Sequence, residues 1–337
     1  MRIIYVDNNA TTQVAPEVLK EMLPYFTESY GNPSSIHSFG GNLSYKLKEA
    51  RAKLAVFLGA APEEIIFTSC GTESDNTAIR AAISSNPDKK HIIASRVEHP
   101  AIKNLYEYLS KEGYRVTFVP VDAKGNLDVD FLYKSLSDDT AVVSIMWANN
   151  ETGVVFPIEE IVAVIKERGI VFHTDAVQAV GKIPVDVNKV NVDMLSISGH
   201  KIHAPKGIGA LYIRRGTRFF PFLIGGHQEK GRRGGTENVA SIIGLGRAAE
   251  LAADNLGVES NRVKLLRDKL ENEILKSVPN SMVNGDIKNR LPNTTSISFE
   301  FVEGEAILLM MNEFGICASS GSACTSGSLE PSHVLRA

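Results

Sequence analysis

The chain has little cysteine: only Cys70, Cys317 and Cys324 among 337 residues. An odd, sparse set is not a disulfide framework, and a reducing cytoplasm fits it best. No C-x-x-C pair occurs, so no zinc or iron–sulfur site of the chain's own is expected. Neither charge sign dominates; a net charge of −3 argues against the basic face of a nucleic-acid binder. No apolar run approaches the length of a membrane span. The start, Met1-Arg-Ile-Ile-Tyr-Val-Asp7, reads directly as a strand and has no signal-peptide layout. Internal repeats and low-complexity linkers are also lacking. The remaining composition, 43% apolar and 22% charged, is that of a globular protein. The length suits one large α/β domain plus a smaller one.

Periodicity supplies the organisation. Residues 14–30 and 41–58 carry apolar positions at helical spacing, separated by a Gly/Pro/Ser loop. Strands and helices then alternate: strand 65–68, helix 72–84, strand 91–95, helix 99–112, strand 114–119, helix 128–136, strand 140–146, helix 157–168 and strand 171–174. Continuous apolar strands between helices predict a parallel sheet covered on both faces. A long helix is expected over 237–277, then a half-exposed strand from Thr294, a helix over 303–314 and a short strand from Ile316. The change of pattern predicts a large domain over 14–255 and a small one from 1–13 and 256–337.

Two windows point to chemistry. Ser196-Ile-Ser-Gly-His200-Lys201-Ile-His203 lies between two apolar runs, which places Lys201 in a short loop between buried strands. Desolvation there favours a nucleophilic free amine, as a Schiff base with an aldehyde cofactor requires. An ordinary surface lysine is the alternative reading. The second window, Val171-Phe-His-Thr-Asp175-Ala-Val-Gln178, sets a carboxylate at a strand's C-terminal end, where ligands sit in open α/β sheets. Pyridoxal 5′-phosphate needs such an acid beside its pyridine nitrogen. A helix cap is the alternative for Asp175 alone.

Other residues join these two. Gly71-Thr72 follows a strand and opens a helix, giving a phosphate cradle or a plain cap. Ser198 and His200 flank the lysine and can add phosphate contacts. His99 follows another strand and can stack on a flat ring. Gln178, about one turn past Asp175, can donate to a phenolic oxygen. Cys324 sits in Ser319-Ser-Gly-Ser-Ala-Cys324-Thr-Ser-Gly-Ser328, too small and polar to bury anything, and reads as an accessible thiol. Cys317, in an apolar run, is expected to be buried and inert, and Cys70 structural or merely nearby.

The windows 5–12, 148–153, 173–178, 198–201 and 319–326 together resemble the cysteine desulfurases. These are pyridoxal-phosphate enzymes of the aspartate-aminotransferase-like fold type I, an α/β class. The resemblance covers the whole chain. Met146–Gly153 and Leu223–Asn238 are most similar to the nitrogen-fixation (NifS-type) branch. By position, it implies Lys201 as Schiff-base lysine and proton carrier, Asp175 on the pyridine nitrogen, Gln178 on the phenolic oxygen, and His99 as a catalytic residue that stacks on the ring and acts in acid/base steps. It implies Gly71, Thr72, Ser198 and His200 on the phosphate, and Asn150 on the substrate carboxylate. Thr236 would reach the phosphate of a neighbouring subunit, hence a homodimer. Cys324 would be the nucleophile that takes sulfur from L-cysteine and passes it to an iron–sulfur scaffold protein, touching a cluster there at most transiently. The implied function is sulfur supply for iron–sulfur cluster assembly, in nitrogenase maturation for this branch. The alternatives are a selenocysteine lyase, an aminotransferase, or a non-catalytic sulfur-transfer protein. Relatives continue past Ser332–Ala337, and the arginine expected to clamp the substrate carboxylate belongs to that continuation.

Overall fold

The computed structural model describes residues 2–321 and 332–337. Its strands run in chain order β1 (Ile4–Tyr5), β2 (Ile65–Thr68), β3 (His91–Ser95), β4 (Arg115–Val119), β5 (Thr140–Ser144), β6 (Val171–Asp175), β7 (Met194–Ser198), β8 (Gly209–Ile213), β9 (Ser281–Val283), β10 (Ile297–Phe299) and β11 (Ile316–Cys317). Seven of them form one sheet in the order β2-β8-β7-β6-β5-β3-β4. Every residue of β2, β3, β5, β7 and β8 is buried. Strands with apolar residues on both faces need cover on both. One face packs on the helices Gly71–Ser85 and Pro100–Lys111. The other packs on Leu43–Leu58, Ile158–Glu167 and the start of Val239–Ser277. Leu54 on this second side is fully buried; truncating such a leucine to alanine costs about 2–5 kcal/mol.

The sheet is parallel except for β8, which runs antiparallel to both β7 and β2. The β7–β8 connection carries only a 3-10 turn, Gly199–Lys201. A return that short cannot include a crossover helix, so the next strand must run backwards. Chain direction also splits at β3: β4 lies on one side of it and β5 on the other. Such a reversal opens a crevice at the strands' C-terminal ends.

Helix Val239–Ser277 is 39 residues long. Its first eleven residues are almost wholly buried, against Leu43–Leu58 and Pro16–Met22. A Cβ on Gly246 would lie 2.7 Å from the Ala50 Cα, so only glycine allows these helices to approach so closely. The far half is mostly exposed, with Arg267 and Glu271 as its buried residues. Arg267 donates to the Leu291 carbonyl, and Glu271 accepts both arms of Arg290 and the Thr295 hydroxyl. Residue 256, where a smaller domain is expected to start, falls inside this helix.

Beyond it stand the antiparallel pair β9–β10, the helix Gly304–Glu313 and the parallel pair β1–β11. The expected helix over 14–30 is two helices, Pro16–Met22 and Pro24–Thr27. Pro24 ends the first because it has no N–H and its ring crowds the preceding turn.

Candidate active site

A cavity of ≈ 280 Å³ opens at the C-terminal edge of the sheet. Gly71, Thr72, His99, Asn150, Asp175, Gln178, Ser198, His200 and Lys201, all singled out in the sequence, line it together. They come from the ends of β2, β3, β5, β6 and β7, distant in the chain and adjacent in space. Thr236 does not line it; this residue is exposed in the loop before the long helix. Cys324 lies outside the described residues. Cys70, expected to be structural or merely nearby, lines the cavity. Cys317 is half-buried, not buried: β11 pairs only with the exposed two-residue β1, which cannot cover it.

Lys201 ends the turn after β7. Its Nζ donates to the Ala10 carbonyl at 2.8 Å and to the Asn9 carbonyl. The segment Asp7–Thr12 therefore closes over the lysine. The Thr12 N–H and hydroxyl both donate to the His200 carbonyl. His200 Nδ1 meets the Thr11 hydroxyl at 3.1 Å. Burial, with Lys201 beside it, pushes the His200 imidazole down to about 4, so it stays neutral.

Gly71 and Thr72 begin a 15-residue helix whose first N–H groups face the cavity mouth. The preceding turn is braced by Glu73, which accepts from Ser69 N–H at 2.7 Å and from Arg233 Nε at 2.8 Å. Opposite the helix start, the Ser198 hydroxyl is buried and has no hydrogen-bond partner.

Two buried carboxylates meet below. Asp175 ends β6, and Asp75 comes from the helix Gly71–Ser85. Burial raises both, and the charge of Asp175 raises Asp75 further. Asp175 is held toward the charged form by His99, the Val177 N–H at 2.9 Å and Lys201. Asp75 has only a Ser196 contact pulling it that way, and its Oδ1 has no hydrogen-bond partner among the described residues. Burial and the Asp175 charge thus favour the protonated form of Asp75, while His99 and Lys201 favour the charged form of Asp175. His173 Nε2 is 3.6 Å from Asp75, but burial drives this imidazole down to about 3, leaving it neutral between Ser144 and Ser196.

His99 has two roles at once. Its Nδ1 accepts from Ala101 N–H at 3.1 Å and caps the helix Pro100–Lys111. Nδ1 being the acceptor, a neutral ring carries its proton on Nε2. Burial lowers its pKa first of all, with Asp175 pulling the other way. The same histidine thus caps a helix and lines the cavity.

Asn9 escaped the sequence reading. Its carbonyl accepts from Lys201 and from Gln178 Nε2, and its side chain joins Asn150, Thr294 and Asn293. It lies within the 5–12 window, but nothing in its residue type marks it as a hub. Among the described residues no group of three histidine, cysteine or acidic side chains is placed to hold a metal ion, and no helix is long and apolar enough to cross a membrane.

Comparison with known proteins bears on this site. The class-V aminotransferase family model matches residues 4–337. The cysteine desulfurase of Trichormus azollae is 61% identical over 337 residues, all of this chain and 84% of that protein. The cysteine desulfurase NifS of Azotobacter vinelandii is 60% identical over 338 residues, again covering all of this chain and 84% of that protein. Among solved structures, a NifS-like protein superposes with a TM-score of 0.93 at 38% identity, over 99% of this chain and 89% of that one. SspA in complex with cysteine gives 0.87 at 36%, over 98% and 93%. The nitrogen-fixation-type resemblance and the fold type I expectation both hold, and the chain belongs to the cysteine desulfurases of the class-V aminotransferase family.

Proposed function

We propose that this chain uses pyridoxal 5′-phosphate to convert L-cysteine to L-alanine, leaving the sulfur on Cys324 as a persulfide for an iron–sulfur scaffold protein. The observation that carries this reading is the convergence of Lys201, Asp175 and the Gly71–Ser198 pair on one cavity. The residues present fit the cofactor. The buried Ser198 hydroxyl has no hydrogen-bond partner among the described residues. A Cβ on Gly71 would lie 3.0 Å from Val177 Cγ2 and 3.4 Å from Ser198 Cβ, filling the space an anion needs. Asp175, held charged, suits a protonated ring nitrogen.

Gly71, Thr72, Ser198 and His200 would hold the phosphate, Asp175 the ring nitrogen, Gln178 the phenolic oxygen, His99 the ring face and Lys201 the aldehyde carbon. When bound, the cofactor supplies an electron sink for the substrate's α-carbon. Lys201 Nζ takes the α-proton and returns it, as a positioned base does. Asn150 orients the substrate's carboxylate. The Cys324 thiolate attacks the substrate sulfur: an S–S bond forms, the Cβ–S bond breaks, and the carbon fragment gains a proton to leave as alanine. The persulfide sulfur then moves to an acceptor thiol by exchange. Thr236, exposed and outside the cavity, is available to a second copy's phosphate site in a homodimer. A cytoplasmic setting keeps the thiol reduced. The large and small domains divide within the long helix, near residue 255.

The test is addition of L-cysteine to the purified chain with cofactor. Expected are one alanine per labile sulfur and a persulfide mass on Cys324. Cys324→Ala should keep the cofactor's absorbance and lose sulfur release. Retained turnover in that variant would instead favour a lyase or aminotransferase that needs no thiol. Lys201→Ala should lose the lysine-bound cofactor spectrum; an unchanged spectrum refutes its role.

A further inference from the structure

Lys182 is a cation that this chemistry does not use. It follows Gly181 in the turn after Gln178, and its Nζ lies 3.1 Å from Gln178 Oε1 and 3.2 Å from the Gln178 carbonyl. Its own carbonyl accepts from the Ser260 hydroxyl of the long helix at 2.7 Å. Gln178 is buried and lines the cavity. A glutamine amide has two faces of opposite hydrogen-bond polarity, and a site that uses one of them must prevent the flip. Here both ends are specified. The ammonium of Lys182 only donates, so it requires the amide oxygen. The Asn9 carbonyl only accepts, and it takes Gln178 Nε2 at 3.0 Å. That nitrogen keeps a second N–H.

We propose that Lys182 is a positioning residue: by donating to Gln178 Oε1 it locks the side-chain amide with its NH2 group presented to the cavity, committed to an anionic oxygen on the ligand there. The inference rests on the cofactor reading above, in which that oxygen is the phenolic one. The same carbonyl of Asn9 accepts Lys201, so Lys182, Gln178, Asn9 and Lys201 form one hydrogen-bonded chain between two lysines. Burial and the nearby Lys201 lower Lys182 to about 7. In either protonation state its nitrogen keeps N–H donors for Gln178 Oε1. Lys182 thus acts through Gln178 and need not touch the ligand.

The test reads the bound cofactor's absorbance against pH in the holoprotein. Gln178 donating to a phenolate stabilises the deprotonated cofactor form. Lys182→Met removes the lock, and the midpoint should rise by about one pH unit, a tenfold change in proton affinity, the size of a hydrogen bond to a charged group. Gln178→Leu should shift it at least as far, and adding Lys182→Met to Gln178→Leu should shift it no further. Lys182→Arg, which also only donates, should restore the wild-type midpoint, and it serves as the test if the Met variant does not fold. A wild-type midpoint in folded Lys182→Met, an additive double variant, or a shifted midpoint in folded Lys182→Arg overturns the proposal. If the unaltered chain shows no cofactor absorbance that Lys201→Ala abolishes, the cofactor reading itself fails, and this inference with it.

Discussion

The two edges of the central sheet bury similar residues and treat them differently. At the edge where the parallel strands begin, His91 is fully buried, yet its two ring nitrogens meet Thr140 and Thr117 hydroxyls at 2.9 Å. Asp193 there accepts from Phe172 N–H and from Lys166. At the edge where they end, Asp75 Oδ1, Glu98 Oε2, Thr174 Oγ1 and Ser198 Oγ are buried and have no hydrogen-bond partner among the described residues. An unpaired buried polar group costs about 1–3 kcal/mol. Two of the four, Asp75 and Ser198, line the cavity, where a bound group can meet them. The contrast locates the site without any motif.

Three experiments sharpen or break this contrast. The largest effect is expected from Asp175→Ala. Removing one charge-assisted contact of about 3 kcal/mol should lower kcat/KM for L-cysteine on the order of 100-fold. A loss under about threefold would deny the terminal edge its special role. Next comes a matched pair. Ser198→Ala should weaken cofactor affinity roughly tenfold or more, as for one hydrogen bond to a charged group, with little change in melting temperature. His91→Leu should do the reverse: about 1–3 kcal/mol of stability lost through stranded Thr140 and Thr117 hydroxyls, with cofactor affinity unchanged. If the two variants behave alike, the edges are not distinct.

The smallest effect is a matter of pH slope. Burial lowers His91 to about 4, so the unfolded chain binds its proton first. Its contribution is complete above about pH 6.5 and is lost as pH falls toward 4. Burial raises Glu98 to about 8, so the folded chain holds the extra proton. That contribution is complete below about pH 4.5 and is lost as pH rises through 8. Glu98→Gln copies the protonated acid beside Ser95 and Met146 N–H. It should change stability at pH 6 by less than ~1 kcal/mol and flatten the alkaline decline in urea unfolding; an unchanged slope would mean that Glu98 is not the group titrating.

The sequence made the strands legible because a doubly covered sheet writes long apolar runs, and Asp175 and Lys201 because each follows such a run. Gly71 and Ser198 came with them. What it could not show was non-local. Asp75 sits on a helix and reads as a solvated position until the fold sets it behind Asp175. Asn9 serves through its carbonyl, which any residue possesses. Cys317 looked buried because its apolar neighbours do; what decides exposure is the thin β1–β11 pair beside it. Thr236 was carried over by resemblance alone, and it lies away from this chain's own cavity.

The long helix has a mechanical consequence. At 39 residues it is a rod of about 58 Å. One end is clamped between Leu43–Leu58 and Pro16–Met22. Near the other, Arg267 and Glu271 suspend the segment 290–295, and Asn293 and Thr294 of that segment grip Asn9, whose carbonyl receives Lys201. The rod therefore spans from the core to the segment that holds Asn9. The same hydrogen-bonded path ties the far half of the rod to the carbonyl that receives the reactive amine.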